Sequence, residues 1–281
     1  MTTDLRTLRA ELTEKLASCD DPAFNADELI RHFLGFDRKR MLMEPAAEIA
    51  PAALAALEQA VSDRADGEPL QYILGEWDFF GRTYAVRRTV LIPRPETEAL
   101  ADLAIGFCRA RGAKTVCDLC CGTGCIGISI ALACPDARVI LADISPDALD
   151  CARENAERLG AKNAVVTSCD VLRGFDPGME APDVIVCNPP YVPTGELGSL
   201  QREVRREPAL ALDGGADGLV FYRALCEKWL DALRPGGGFF FECGEEQPEQ
   251  VAAMCDRTRF EARVVNDYCG VPRFVAGRKT E

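Results

Sequence analysis

A doubly wound α/β sheet is the fold this sequence predicts, and three observations predict it. From Thr115 onward, short apolar runs alternate with helical patterns, the order that builds a mostly parallel sheet with helices on both faces. A glycine-bearing turn, Asp118-Leu119-Cys120-Cys121-Gly122-Thr123-Gly124, joins the first run to its helix. The fourth run, Asp183 to Cys187, ends in Asn188-Pro189-Pro190-Tyr191. Two prolines there fix φ and donate no backbone hydrogen bond, and they hold Asn188 extended.

The elements follow in order. Leu5, Leu8, Leu12 and Leu16 recur at helical spacing, and Asn25 with Glu28 reads as a capping box opening a second helix. Arg38 to Met43 makes a short third helix, and Pro51 starts a fourth through Leu54, Leu57 and Val61. Residues 1–66 therefore read as a small helical module, with the single histidine, His32, in a structural place. Gly67 breaks the pattern. Leu70 to Leu74 and Trp77 to Val90 carry β-formers around Gly75 and Gly81, a hairpin-like connector over 67–92. Pro93 and Pro95 stiffen the bend before a helix through Leu100, Leu103 and Phe107. In the large domain, 93–281, strands are expected at Thr115 to Cys121, Arg138 to Asp143, Ala164 to Asp170, Asp183 to Cys187, Phe239 to Glu242, Ala262 to Val265 and Arg273 to Ala276. Helices lie between them at Gly124 to Ala133, Ser145 to Leu159, about Gly218 to Leu233 and Gln247 to Cys255. Ser145 caps its helix, Pro146 opens it and Gly160 stops it.

Composition bounds the function. Forty-five acidic against 32 basic residues leave a net charge of −13, which disfavours a protein that tracks long nucleic acid. Arg87-Arg88 and Arg202 with Arg205-Arg206 are the local basic candidates, and solvated charge accounts for each. The first residues show no signal peptide and no run is long enough for a membrane span, so the chain is expected in the cytoplasm. Fourteen cysteines in a reducing compartment do not imply disulfides. Cys117, Cys120, Cys121 and Cys125 cluster, but no second pair or histidine completes four ligands, so cysteine as core filler is preferred to a metal site.

Gly122 and Gly124 let the backbone turn sharply beneath a ligand. Asp143 ends the second strand, where nucleotide-binding α/β folds place the acid that meets ribose hydroxyls. Asp170 ends the third, at the rim where adenine would lie. With Gly127 the loop also matches a dinucleotide fingerprint, so an NAD-dependent oxidoreductase competes. Asn188 to Tyr191 tilts the balance, because a rigid device presenting one amide, free carbonyls and a ring suits gripping a planar –NH2 group.

On these segments the chain resembles class I S-adenosylmethionine-dependent methyltransferases, and more narrowly the release-factor glutamine methyltransferases of the HemK type. Gly67 to Ile73, Leu91-Ile92-Pro93-Arg94-Pro95-Glu96-Thr97-Glu98, Glu207-Pro208, Leu212 to Leu219 and Glu242-Cys243-Gly244 carry the narrower likeness. Asn-Pro-Pro-Tyr alone is shared with DNA adenine methyltransferases. The resemblance implies a seven-stranded Rossmann-like sheet and a helical N-terminal domain that recognises the substrate. It implies methylation of the glutamine in the Gly-Gly-Gln loop of peptide-chain release factors. The cofactor, S-adenosyl-L-methionine, would be bound by Cys120, Cys121, Gly122, Thr123, Gly124, Asp143, Asp170, Val171 and Asn188. The substrate glutamine would sit on Asn188, Pro189, Pro190 and Tyr191. Asn188 Oδ1 and the Pro189 carbonyl would accept the two amide hydrogens, and Tyr191 would stack on the amide plane. The competing readings are a glutamine methyltransferase of a ribosomal protein, a DNA adenine methyltransferase and a silent cofactor-binding scaffold. No metal, membrane or stable nucleic-acid partner is expected. One departure stands out: Cys120 occupies a position where the family usually has glycine, and a requirement there for φ > 0 would make it strained.

Overall fold

The computed structural model describes residues 2–44, 46–178 and 180–280. The outermost limits of the expected division, residues 1 and 281, lie outside the described residues. The chain forms two compact units. One comprises residues up to Glu76 together with Gln201–Arg206; the other comprises Trp77–Leu200 and the chain from Glu207 onward.

The first unit runs β1 (Thr2–Asp4), α1 (Leu5–Lys15), α2 (Pro22–Leu34), α3 (Arg38–Met43), β2 (Ala46–Glu48), α4 (Pro51–Ala65) and α5 (Leu70–Leu74). Leu5, Leu8 and Leu12 of α1 meet Leu29 and Ile30 of α2 and Leu57 and Val61 of α4 in burial, the apolar stripes read from helical spacing. Three local expectations are corrected. Helix α2 starts four residues early, capped by Asp21, whose carboxylate accepts from Phe24 N at 3.1 Å, so Asn25 is no cap. Leu70–Leu74 is helical, not extended: Pro69 sets the entry and Gly75 ends it with φ +72°. A five-residue apolar run has no period to distinguish the two states. The antiparallel pair β1–β2 was not expected, because three-residue strands show no alternation.

Asn25 holds Arg64 instead of capping. Its Oδ1 accepts from Arg64 Nε at 2.6 Å, while Arg64 Nη1 donates to Glu68 O at 3.2 Å and to Glu203 Oε1 at 3.0 Å. Arg64 is 5 % exposed, and a buried guanidinium needs such partners. Arg202 and Arg206 both donate to Asp66, so two of the candidate basic residues are ion-paired on this unit.

The chain passes into the second unit within the hairpin of β3 (Glu76–Phe79) and β4 (Arg82–Ala85), after Glu76. It continues through α6 (Thr97–Arg111), β5 (Thr115–Leu119), α7 (Cys125–Ala133), β6 (Arg138–Asp143), α8 (Pro146–Leu159), β7 (Ala164–Ser168) and β8 (Val184–Cys187). Then follow α9 (Val220–Lys228), β9 (Gly238–Glu242), α10 (Pro248–Met254), β10 (Phe260–Asn266) and β11 (Pro272–Lys279). Seven strands form one sheet in the order β10-β11-β9-β8-β5-β6-β7. Strands β5 to β9 are mutually parallel where they pair, and β11 and β10 close one edge antiparallel. This is the α/β Rossmann-like architecture expected. Strand β7 stops at Ser168, which leaves Cys169 and Asp170 beyond its end, and the helix expected to reach Leu233 breaks after Lys228 into a 3-10 turn at Leu230–Ala232.

Period-two alternation divides the core. Val116, Val184 and Val186 face Leu100, Ala104 and Ile128 on one side; Cys117, Ile185 and Cys187 face Tyr222, Leu225 and Trp229 on the other. Trp229 is fully buried, meets Phe175 edge-on at 5.8 Å, and donates from Nε1 to Val171 O at 2.9 Å. This bond fixes the backbone just after β7. Trp229→Ala should therefore destabilise the protein by about 3–5 kcal/mol in urea unfolding, and Trp229→Phe, which loses the hydrogen bond and part of the buried ring but keeps a phenyl in place, should do so by less.

Candidate active site

After β5 the chain lays down β6 and β7 on one side and then returns to place β8 on the other. Strand order reverses between β5 and β8, and loops leaving their carboxyl ends diverge and open a crevice. A cleft open to solvent lies there. Cys120, Gly122, Asp143, Asp170, Val171, Asn188 and Pro190 line it. Of the other residues singled out in the sequence, Cys121, Thr123, Gly124, Pro189 and Tyr191 are not part of that wall. Cys121, Thr123 and Gly124 are buried in the loop itself, and Pro189 is buried.

The loop is a run of left-handed residues: Cys120 has φ +55°, Gly122 +54° and Gly124 +77°. Its folding is tied off by Cys121 N donating to Ala142 O at 3.0 Å and Gly124 N to Cys121 O at 2.7 Å. Thr123 O accepts from buried Asn155 Nδ2 at 3.0 Å. Beneath the loop, Asp118 Oδ2 accepts from Gly127 N at 2.8 Å, and Asp118 Oδ1 is buried with no partner. A Cβ placed on Gly122 would meet nothing within 4 Å, so the missing side chain leaves the cleft open over the backbone. Asp143 is held by two backbone donors, Gly122 N to Oδ2 at 3.0 Å and Ser145 N to Oδ1 at 2.9 Å. Each oxygen keeps a free lone pair for a further donor. Asp170 Oδ1 accepts from Leu172 N at 3.0 Å.

Asn188 stands at the end of β8, its Nδ2 donating to Thr97 Oγ1 over a long 3.4 Å and its Oδ1 buried without a partner. The following backbone is pinned. Val192 N donates to Leu212 O at 2.9 Å, Gly214 N to Val192 O at 2.8 Å, and Gln247 Nε2 to Tyr191 O at 2.9 Å. The segment from Leu212 passes so close that a Cβ on Gly214 would stand 2.8 Å from Tyr191 Cα, so only glycine fits. The Tyr191 ring lies towards Gly244, and burial pushes its phenol up to about 12. On the far lip, buried Glu207 accepts from Ile92 N at 3.0 Å and pairs with Arg94, which fixes the Leu91 to Glu98 bend beside Pro208 and Leu210.

Several wall residues were not singled out as site residues: Thr89 to Leu91, Ile144, Leu172, Leu210 and Phe221. Ile144, Leu172 and Leu210 are large apolar side chains left 51 %, 37 % and 58 % exposed at the cleft. Only their position next to Asp143, Asp170 and Pro208 could have marked them. Thr97 and Glu242 lie behind Asn188; both fall in segments quoted for the family likeness, but with no role attached. The four clustered cysteines spread over β5, the loop and α7, and among the described residues no three His, Cys, Asp or Glu side chains gather as a metal site.

Comparison with known proteins gives the family. Residues 7–75 match the family described as PrmC N-terminal domain, and residues 102–225 match the methyltransferase small domain. A release factor glutamine methyltransferase of Geobacter sulfurreducens is 40 % identical over 96 % of this chain and 93 % of its own length. Proteins of the same name from Koribacter versatilis and Moorella thermoacetica are each 38 % identical, over 94 % and 99 % of this chain and 93 % and 99 % of their own lengths. The chain belongs to the release factor glutamine methyltransferase family.

As a family member it carries a left-handed cysteine where the resemblance implies glycine. A non-glycine residue in that region is strained by roughly 1–2 kcal/mol, and Cys is small enough for the loop to keep its course. Beneath that loop, at the end of β5, lies a buried acid. Burial pushes the Asp118 carboxyl up to about 8, opposed by the Gly127 N–H, with the Asp143 charge adding to the rise. A carboxyl whose folded pKa is raised favours the native state while protonated in it. That contribution is full below the unfolded value near 4 and is lost as pH rises towards 8. The protein should therefore lose stability between pH 5 and pH 8 in urea unfolding, by up to about 1.4 kcal/mol per pH unit for this group. Asp118→Asn should flatten that slope.

Proposed function

We infer that this chain transfers a methyl group from S-adenosylmethionine to the side-chain amide nitrogen of the glutamine in the Gly-Gly-Gln motif of peptide-chain release factors. The state of Asn188 carries the reading: a buried acceptor without a partner, at the wall of the cleft, on an amide whose nitrogen is already directed at Thr97. Such an acceptor matches one N–H of a primary amide. The Pro189 carbonyl takes the other, on a backbone that two prolines hold rigid. The family likeness gives Tyr191 the amide plane to stack on, although its ring lies towards Gly244, outside the cleft wall. The names of the full-length relatives support a release factor as the protein that carries this glutamine.

Cys120, Gly122, Asp143, Asp170, Val171 and Asn188 would hold S-adenosylmethionine, with Cys121, Thr123 and Gly124 shaping the loop. The residues fit it. Asp143 has a lone pair free on each oxygen for a hydroxyl pair, Gly122 leaves the floor open, and Ile144, Leu172 and Leu210 give apolar surface for a flat base. When bound, it supplies an electrophilic methyl group. The chain's own contribution is positioning. Asn188 and Pro189 fix the glutamine –NH2 and draw electron density to its nitrogen, and holding reacting atoms near 3 Å lowers a barrier by about 7–11 kcal/mol. No base is needed before attack, because an alkylated amide nitrogen sheds its proton readily.

Recognition of the release factor is assigned to the N-terminal helical domain, and the enzyme's place is the cytoplasm, where release factors act. No helix among the described residues is long and apolar enough to cross a membrane. A net charge of −13 makes stable binding to nucleic acid unfavourable.

Labelled methyl transfer onto purified release factor, ribosomal proteins and DNA tests the assignment. Only the release factor should be labelled, and labelling should vanish when its Gly-Gly-Gln glutamine is changed. Label on ribosomal protein or DNA instead would overturn it. Asn188→Ala should lower kcat/KM at least 100-fold while cofactor affinity falls less than tenfold; near-normal turnover would remove Asn188 from its role.

A further inference from the structure

The register between β8 and β9 runs to Cys187 opposite Phe241, so the next residues, Asn188 and Glu242, lie side by side at the carboxyl edge. Glu242 is 2 % exposed, and its Oε2 is buried with no hydrogen-bond partner. It is absent from the cleft wall and lies behind Asn188, with Thr97 of α6 as the third member of the group. A carboxyl is costly to bury unless donors and a cation face it, so its placement directly behind Asn188 calls for a task.

The task follows from the symmetry of an amide. The Oδ1 and Nδ2 ends of Asn188 have nearly the same shape, and only their hydrogen-bonding surroundings decide which end faces the cleft. With Nδ2 outward, Asn188 would offer donors to a substrate amide that itself needs acceptors. Thr97 Oγ1 accepts one Nδ2 hydrogen. A carboxyl beside it is an acceptor for the second.

Resting on the reading that this chain methylates a glutamine amide, we propose that Glu242 is a positioning residue. Its buried carboxyl, together with Thr97 Oγ1, captures the nitrogen end of Asn188 and keeps Oδ1 turned to the substrate's –NH2. Thr97 and Asn188 both act on Glu242 as hydrogen-bond donors that favour its charged form. Burial outweighs them and raises the carboxyl to about 7. The other groups facing it are Arg273 of β11 and Glu96 ahead of α6, with Tyr191 beyond β8, Cys243 next along the chain and Cys125 at the start of α7. Its ionisation makes both hydrogen bonds charge-assisted, so the grip on Asn188 tightens as pH rises through neutrality.

Two readouts test this on the full-length protein. In the first, the side-chain amide NMR signals of Asn188, assigned by their loss in Asn188→Ala, are followed from pH 6 to 9 without substrate. They should shift with an inflection near neutrality in the wild type and stay flat in Glu242→Gln. In the second, kcat for release-factor methylation should rise through the same pH range in the wild type. Glu242→Gln should lower kcat 10- to 100-fold, erase that rise, and change KM and S-adenosylhomocysteine affinity less than threefold. Should Glu242→Gln not fold, Thr97→Val gives the same fall in kcat and Thr97→Ser restores it. Wild-type kcat and pH profile in Glu242→Gln, or Asn188 signals indifferent to pH in the wild type, would overturn the proposal. Failure of the wild type to label any release factor would instead overturn the functional reading, and the NMR titration still decides the role of Glu242.

Discussion

The reversal of strand order between β5 and β8 is the constraint on which the catalytic unit depends. Parallel strands point all their carboxyl ends to one edge, but only where successive connections leave in opposite directions does that edge open. The Cys120–Gly124 loop belongs to β5, Asp143 to β6, the Asp170 turn follows β7, and Asn188 ends β8. Residues far apart in the chain, from Thr89 to Phe221, thus meet at one cleft. The two tethers that finish the site, Glu207 on the Ile92–Arg94 bend and Gln247 on the Tyr191 carbonyl, brace loops from outside the sheet.

The same edge concentrates buried polarity that the fold alone does not require. Asp118 Oδ1, Asn188 Oδ1 and Glu242 Oε2 are three of the four buried side-chain atoms without partners among the described residues, and all three belong to the ends of neighbouring strands β5, β8 and β9 or the residue just beyond. In a low-dielectric site an unpartnered acceptor is expensive, and it interacts strongly with whatever donor arrives. Of the three, only Asn188 belongs to the cleft wall; Asp118 and Glu242 lie behind it, where their polarity bears on the backbone and side chains that form the wall.

Much of this was legible in the sequence because it is written locally. Ser145, Pro146 and Gly160 bound α8 as expected, since cap chemistry needs only neighbouring residues. Prolines and glycines marked the loop and the clamp for the same reason. What stayed hidden depends on partners far along the chain. Asn25 imitates a cap, yet its amide serves Arg64, 39 residues on. Leu70–Leu74 carries β-forming residues but folds as a helix between Pro69 and Gly75. Ile144 and Leu210 reveal themselves only as apolar side chains left exposed at a cleft, and Glu242 only once β9 is placed beside β8.

The ties of Arg64 have a bearing on how the chain is made. This guanidinium, buried in the first unit, meets its carboxylate partner Glu203 only 139 residues later in the sequence. At about 5–20 residues per second of synthesis, the nascent helices wait roughly 7–28 s for that counter-charge. Until Gln201–Arg206 emerges, the N-terminal unit holds an unneutralised cation and Asp66 lacks both its arginines. The unit is thus first in synthesis but not first to be complete, and a fragment cut at the hairpin would be left permanently in that unfinished state.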